Sequence, residues 1–186
     1  MRRAMAEAVV GDHTLGDDPT AAELERYVAE LLGKEAALFF PSGIMANQTA
    51  ILLQARPGTE VVLDAGAHIV QYEEGAAAAL AGAQLRVVES TGGVPDPDRY
   101  AEAFHRPSPY QPECSLVCLE NTHNSAGGRI IPFEVMRAIS EKARGAGLGV
   151  HLDGARLPNV EVATGRPMRE WAELADTVMI SLSKGL

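Results

Sequence analysis

An α/β fold is predicted, a three-layer α/β/α arrangement with a mainly parallel sheet in the middle. Three observations predict it. Apolar strand-like runs alternate with helix-like stretches along the whole chain; no block of strands stands apart; and no repeat or low-complexity linker divides the sequence. At 186 residues the chain is one domain by size and can bury a real core. A net charge of −9 argues against a nucleic-acid scaffold. The basic start, Met1-Arg2-Arg3-Ala4-Met5, is followed by no apolar signal core, and no run reaches membrane-spanning length, so a cytoplasmic chain is expected. Cys114 and Cys118 offer neither a disulfide framework nor a zinc pattern; they read as buried thiols on one face of a strand, and no metal is expected.

Ala4 to Val10 reads as the end of a helix stopped by Gly11, followed by a polar loop to Asp18. Asp18 is a good N-cap and Pro19 a good first helical residue; Leu24, Tyr27, Val28, Leu31 and Leu32 then recur at helical spacing until Gly33. Ala36 to Phe40 reads as a short strand, broken by Pro41-Ser42-Gly43, and Ile44 to Gln54 as a helix. Glu60 to Leu63 is a strand, Ile69 to Ala81 a small-residue helix ending near Gly82, Gln84 to Glu89 a strand and Asp98 to Phe104 a short helix. Arg106 to Pro112, rich in proline, is a surface loop. Ser115 to Leu119 is a buried strand, Phe133 to Gly145 a helix and Gly149 to Leu152 a strand leading into Asp153. An irregular segment follows, then a helix over Pro167 to Ala175 and a last strand from Thr177 to Leu182.

In open α/β sheets, ligands sit beyond the carboxyl ends of the strands. Two strands here deliver Asp153 and Lys184 to that rim. A lysine for a Schiff base and a carboxylate to hold a pyridine nitrogen protonated suit pyridoxal 5'-phosphate. Pro41-Ser42-Gly43, a turn before a helix start, makes an anion seat of free backbone N–H groups, although such turns are common with nothing bound. His68, Tyr72 and Glu73 are spaced to share one face at the rim. Taken alone, His68 also reads as a helix-start residue, Lys184 as a surface charge, Arg156 as an ion-pair partner of Asp153 and His123 as a structural loop residue. His13, His105 and His151 are given no role, and His151 is expected to turn away from the neighbours of Asp153.

These stretches, with Pro41-Ser42-Gly43-Ile44-Met45-Ala46-Asn47, His68-Ile69-Val70-Gln71-Tyr72-Glu73, Glu120-Asn121-Thr122-His123-Asn124, His151-Leu152-Asp153-Gly154-Ala155-Arg156 and Ser181-Leu182-Ser183-Lys184-Gly185, resemble the low-specificity L-threonine aldolases. That family belongs to the pyridoxal-phosphate enzymes of the aspartate-aminotransferase-like fold (fold type I). The resemblance implies a retro-aldol cleavage of L-threonine or L-allo-threonine to glycine and acetaldehyde. It makes Lys184 the Schiff-base lysine, Asp153 the partner of the ring nitrogen, and Gly43, Ile44 and Met45 the phosphate seat. His68 would lie flat against the ring, and Arg156 would reach the phenolic oxygen or the substrate carboxylate. Tyr72, Glu73, His123 and Arg156 would hold the β-hydroxy-α-amino acid, with His123, His68 or a water taking the hydroxyl proton. The family usually has Thr in place of Ile44 and Tyr in place of Leu15. The resemblance further implies a homodimer or homotetramer, and a chain corresponding to part of the large domain, residues 1–186, without the small C-terminal domain and inactive by itself. Another fold-type-I enzyme, a β-eliminating lyase or aminotransferase, or a non-catalytic remnant of one, is the alternative reading. A Rossmann nucleotide-binding domain is disfavoured because no G-x-G-x-x-G follows the first strand.

Overall fold

The computed structural model describes residues 1–106 and 108–184; Pro107 of the proline-rich loop and the last two residues, Gly185 and Leu186, lie outside the described residues. Two compact units are present, Met1–Pro41 and Ser42–Leu186.

The first unit holds α1 (Arg2–Glu7) and α2 (Pro19–Leu32). α1 is shorter than expected: Ala8 is already extended, and no residue of the helix is buried. A helix this short has little to sustain further turns without packing. α2 begins and ends as its sequence dictates. The Asp18 carboxylate accepts from Ala21 N at 2.9 Å, Pro19 opens the first turn, and Gly33 closes it in the left-handed region at φ 65°. Of the expected apolar stripe, Leu32 is buried, Leu24, Val28 and Leu31 are half-buried, and Tyr27 is exposed. The expected strand at Ala36 to Phe40 does not form. Leu38 and Phe39 are exposed, and the Phe39 N–H donates to the Glu25 carboxylate at 2.8 Å rather than to a neighbouring strand. An apolar run becomes a strand only where another backbone accepts its polar groups.

Among the described residues the second unit contains five strands, β1 (Glu60–Asp64), β2 (Gln84–Val88), β3 (Cys114–Glu120), β4 (Gly149–Asp153) and β5 (Thr177–Met179), in the order β2-β1-β3-β4-β5. Every pairing is parallel. β1 is buried at every position and β3 nearly so, as expected for a parallel sheet covered on both faces. Joining the strands are α3 (Gly43–Gln54), α4 (His68–Gln71), α5 (Ala76–Ala81), α6 (Pro97–Glu102), α7 (Phe133–Gly145), α8 (Leu157–Thr164) and α9 (Met168–Glu173). Ile51 of α3 and Ala77 and Ala81 of α5 pack with Val61, Leu63, Leu116 and Cys118, alternate residues of β1 and β3. α7 lies against β3 and β4 with Met136, Ile139 and Ala143 buried. Both cysteines are free and buried, and burial pushes the Cys118 thiol well up.

Three local expectations are corrected. The helix expected over Ile69 to Ala81 is broken into α4 and α5, because Glu74 and Gly75 both take positive φ, 53° and 70°. The irregular segment after Asp153 is helical, α8, with Pro158 in its first turn where a missing N–H costs nothing. The last strand stops at Met179 rather than Leu182. Its neighbour β4 ends at Asp153, directly opposite Met179, so among the described residues no strand partner remains beyond that point. Lys184 therefore lies on a turn past the sheet.

Candidate active site at the carboxyl edge of the sheet

Parallel pairing puts all strand exits on one side, and the register aligns Glu120 with Asp153 and Asp153 with Met179. Three of the strands end on an acid: Asp64, Glu120 and Asp153.

α3 starts at this edge. Ser42 caps it, its hydroxyl accepting from Met45 N at 3.2 Å, and Ala46 N bonds to the Ser42 carbonyl. The Met45 amide is thus occupied. The Gly43 and Ile44 amides remain as first-turn donors that the helix itself does not use. One turn on, Asn47 and Gln48 are buried in an otherwise apolar helix. The Asn47 amide nitrogen donates to Glu73 Oε1 at 2.8 Å and to Asp153 Oδ2 at 2.9 Å. Gln48 donates to the other Glu73 oxygen, and Ala155 N to Asp153 Oδ1 at 3.0 Å.

The break after α4 brings Glu73 back toward His68. The His68 Nδ1 and Glu73 Oε1 are 2.8 Å apart. A carboxylate oxygen accepts, so Nδ1 carries the proton that faces Glu73. The His68 and Tyr72 rings lie 5.3 Å apart, centroid to centroid, and Tyr72 is exposed. His68, Glu73 and Asp153 each present one atom within 4.8 Å of the others. The start of α4 is held from below: Glu120 accepts from His68 N at 2.7 Å and from Asn124 N at 2.8 Å, so one side chain ties two rim loops together. Burial raises the Glu120 pKa above the ordinary carboxylate range, against the backbone bonds that lower it.

His123 is placed differently. It is buried, 2% exposed, with Nε2 2.8 Å from Asp64 Oδ1. The hydrogen bond with Asp64 raises its pKa above the usual value, outweighing burial. Burial acts to raise the Asp64 pKa, but the bonds from His123, Ser90 and Gly66 bring it below its usual value. The imidazole is packed closely against Gly66, where a Cβ would lie 3.1 Å from His123 Cε1.

The structure therefore gathers Asp153, Glu73 and His68 into one cluster, with Tyr72 at its margin. It does not bring His123 into direct hydrogen bonding with them. Arg156 and Lys184 are half-buried, and neither forms an ion pair among the described residues. An Arg156–Asp153 ion pair is thus absent among the described residues; Asn47 and Ala155 N occupy that carboxylate. Ile44 and Met45 expose their side chains. Sequence reasoning missed Asn47, Gln48, Asp64 and Glu120. The signal for the first two was present: two adjacent amides inside an apolar helical run are out of place unless they bond something buried.

Chemically, the cluster is a pair of buried carboxylates whose donors, apart from the His68 imidazole, are neutral amides. Among the described residues no Lys or Arg bridges to either of them. Such an arrangement orients both carboxylates while supplying no Lys or Arg counter-charge among the described residues.

Comparison with known proteins bears on this reading. The beta-eliminating lyase profile matches residues 1–186. The low-specificity L-threonine aldolase 1 of Arabidopsis thaliana is 40% identical over 190 residues, covering 100% of this chain and 53% of that protein. The low specificity L-threonine aldolase of Escherichia coli (strain K12) is 38% identical over 187 residues, covering 100% of this chain and 55% of that one. Among solved structures, the Leishmania major threonine aldolase superposes with a TM-score of 0.83 at 26% identity, over 97% of this chain and 52% of that one. The chain spans about half the length of the relatives it matches.

Proposed function

Because the chain belongs to the beta-eliminating lyase family, with the fold-type-I architecture of its structural neighbours, we propose that it forms the cofactor-binding part of a pyridoxal-phosphate-dependent carbon–carbon lyase. The reaction is cleavage of L-threonine or L-allo-threonine to glycine and acetaldehyde. The observation that carries the reading is the Asp153–Asn47–Glu73–His68 cluster at the carboxyl edge of the sheet.

The residues fit the cofactor. Asp153, buried and without a cationic side chain in ion-pair range among the described residues, would hold a proton on the ring nitrogen. The Gly43 and Ile44 amides at the start of α3 would take the phosphate; with Ile in place of the family's usual Thr, this seat rests on backbone donors. Lys184, on the turn beyond β5, would hold the cofactor covalently, and Arg156 would reach its phenolic oxygen or the substrate carboxylate. When bound, pyridoxal phosphate supplies the electron sink that lets the Cα–Cβ bond break. His68 would lie against the ring. With Nδ1 turned to Glu73, its Nε2 would be the atom that accepts the β-hydroxyl proton. His123 offers only Nδ1, since Nε2 is bonded to Asp64, and would act on substrate through water. Tyr72 and Glu73 line the substrate side.

A homodimer or homotetramer is part of the proposal. α3 is apolar nearly all round, and Ile44, Met45, Leu52 and Leu53 are exposed in the single chain. Among the described residues no helix is long and apolar enough to cross a membrane, and we place the protein in the cytoplasm.

The test is direct. Pyridoxal phosphate is added to the chain, the yellow adduct is fixed with borohydride, and the modified peptide is located. Modification at Lys184, lost in Lys184→Ala, is expected; modification elsewhere or nowhere overturns the reading. In the protein of the relatives' full length, acetaldehyde plus glycine is the expected product pair, and ammonia plus a keto acid would assign a different reaction.

A further inference from the structure

Asn47 does more than touch the two carboxylates. Its amide group is itself held by a chain of buried polar side chains running away from the rim. The Asn47 Oδ1 lies 3.0 Å from His151 Nε2, and His151 Nδ1 lies 2.8 Å from Thr177 Oγ1. Gln54 Nε2, one end of α3, donates to that same Thr177 oxygen at 2.7 Å. Asn47 is wholly buried and His151 1% exposed. The expectation that His151 turns away from the surroundings of Asp153 is wrong for a simple reason. Residues 151 and 153 are two apart on β4, and a strand repeats its faces every second residue.

The donors and acceptors in this chain can be ordered starting from the two carboxylates. Glu73 and Asp153 accept, so the NH2 of Asn47 faces them and its carbonyl faces His151. His151 must then donate from Nε2. The Thr177 hydroxyl oxygen receives the Gln54 N–H and has its own hydrogen to give to His151 Nδ1. In this order every member is satisfied, with His151 in the neutral Nε2–H form. Burial, which lowers its pKa to about 4, agrees with that form.

We propose that Asn47 is the positioning residue of the site: one amide group, locked by His151 and Thr177, sets the separation of Asp153 and Glu73 and so aims both at the cofactor ring and at His68. The proposal rests on the cofactor reading above, and it assigns a purpose to three residues, Asn47, His151 and Thr177, that need touch neither cofactor nor substrate. Unbraced, the amide could flip or swing, and Asp153 would lose its fixed direction toward the ring nitrogen.

Two measurements on the 186-residue chain test it. The first is the imidazole nitrogen NMR spectrum at neutral pH. His151 is expected with Nε2 protonated and Nδ1 bare; the opposite tautomer, or an imidazolium, overturns the arrangement, whether or not cofactor binds. The second is pyridoxal-phosphate affinity in variants shown by circular dichroism to be folded. Asn47→Asp keeps an acceptor for His151 but loses both donated hydrogens, and should bind the cofactor at least about tenfold more weakly. Thr177→Val leaves the site chemistry untouched, yet should give mixed His151 tautomers and a loss of about threefold, which Thr177→Ser restores. Cofactor binding in Asn47→Asp equal to that of the parent sinks the proposal and leaves the cofactor reading standing. A parent chain that takes up no pyridoxal phosphate sinks the cofactor reading, and the tautomer then decides the Asn47 arrangement alone.

Discussion

The two edges of the sheet both bury carboxylates and treat them in opposite ways. At the amino edge, Glu60 is wholly buried and meets Arg86, whose guanidinium grips both oxygens, with Nη2 2.6 Å from Oε1. Gln84 adds a donor at 3.0 Å, and His105 and Cys114 complete the surroundings at 3.6 and 3.7 Å. The bond to Glu60 raises the Arg86 pKa further. At the carboxyl edge, Glu73 and Asp153 are as deeply buried, but their protein partners are amides and one imidazole. A carboxylate already matched by a guanidinium has its counter-charge supplied by the fold. A carboxylate held only by neutral donors is oriented and left to attract a cation from outside. That difference, rather than burial or acidity, separates the structural edge from the edge read as the active site.

The contrast is broken most severely at the amino edge. Arg86→Met leaves Glu60 buried without a counter-charge, and a loss of about 3–5 kcal/mol is expected in urea unfolding. Cofactor affinity should stay within about twofold of the parent, because the sites lie at opposite ends of the strands. A variant that unfolds no more easily would show the amino-edge pair to be ornamental.

The same logic divides two histidines that are equally buried. His151 has neutral partners, Asn47 and Thr177, and burial lowers its pKa to about 4. His123 has a carboxylate partner, Asp64, and its pKa is raised. The consequences for stability run in opposite directions. Between its ordinary value of 6.5 and about 4, the unfolded chain binds the His151 proton and the folded chain does not, so stability falls as pH drops through that window. The loss reaches on the order of 3 kcal/mol. For His123 the stabilisation is present below 6.5 and is lost as pH rises through its elevated folded value. Asp64, with a lowered pKa, contributes above its usual value and loses that contribution as pH falls. Thermal midpoints measured across pH should therefore fall less steeply between pH 6.5 and about 4 in His151→Gln, and less steeply above 6.5 in His123→Asn. Parallel curves for parent and variants would contradict both assignments.

At the carboxyl edge the expected cost is in binding. Asp153→Ala should weaken pyridoxal phosphate about a hundredfold, equivalent to about 2.8 kcal/mol, while disturbing folding less than Arg86→Met does. Cofactor titration beside urea melts on the same two variants reads both columns of the comparison. A variant of Asp153 that destabilises strongly and binds normally would reverse the roles of the two edges.

Much of this edge was legible in sequence, and the reasons for the exceptions are physical. Asp153 follows an apolar strand, and His68 and Glu73 lie five residues apart, so strand periodicity and helix spacing sufficed to bring them to one rim. The actual path between them is a broken helix, since Glu74 is a non-glycine residue at positive φ, which no local pattern announces. Asn47 and Gln48 were absorbed into a helix recognised by its apolar content; the adjacent amides hinted at buried bonds, and the tertiary fold shows that the partners are Glu73 and Asp153. Residues 36–40 have strand composition, but strand formation depends on a neighbour that composition cannot supply. The early end of β5 has the same origin, because β4 stops at Asp153 and leaves nothing for residues beyond Met179 to pair with.

The smallest effect concerns α3, which carries the contrast of matched and unmatched surface on a single helix. Its amides Asn47 and Gln48 are inside and bonded, while Ile44, Met45, Leu52 and Leu53 face outward. A helix apolar on its outer side is at odds with water, and a second copy of the chain is the occupant the homo-oligomer proposal assigns to it. Leu53, 77% exposed, tests this with little risk to the fold. Leu53→Lys should change the stability of the single chain by no more than about 0.5 kcal/mol, as for ordinary surface positions. It should nevertheless shift sedimentation toward monomer, since a charge buried against a partner without a counter-ion is disfavoured. A variant that sediments as the parent does would remove α3 from the interface and leave its outer leucines unexplained by association.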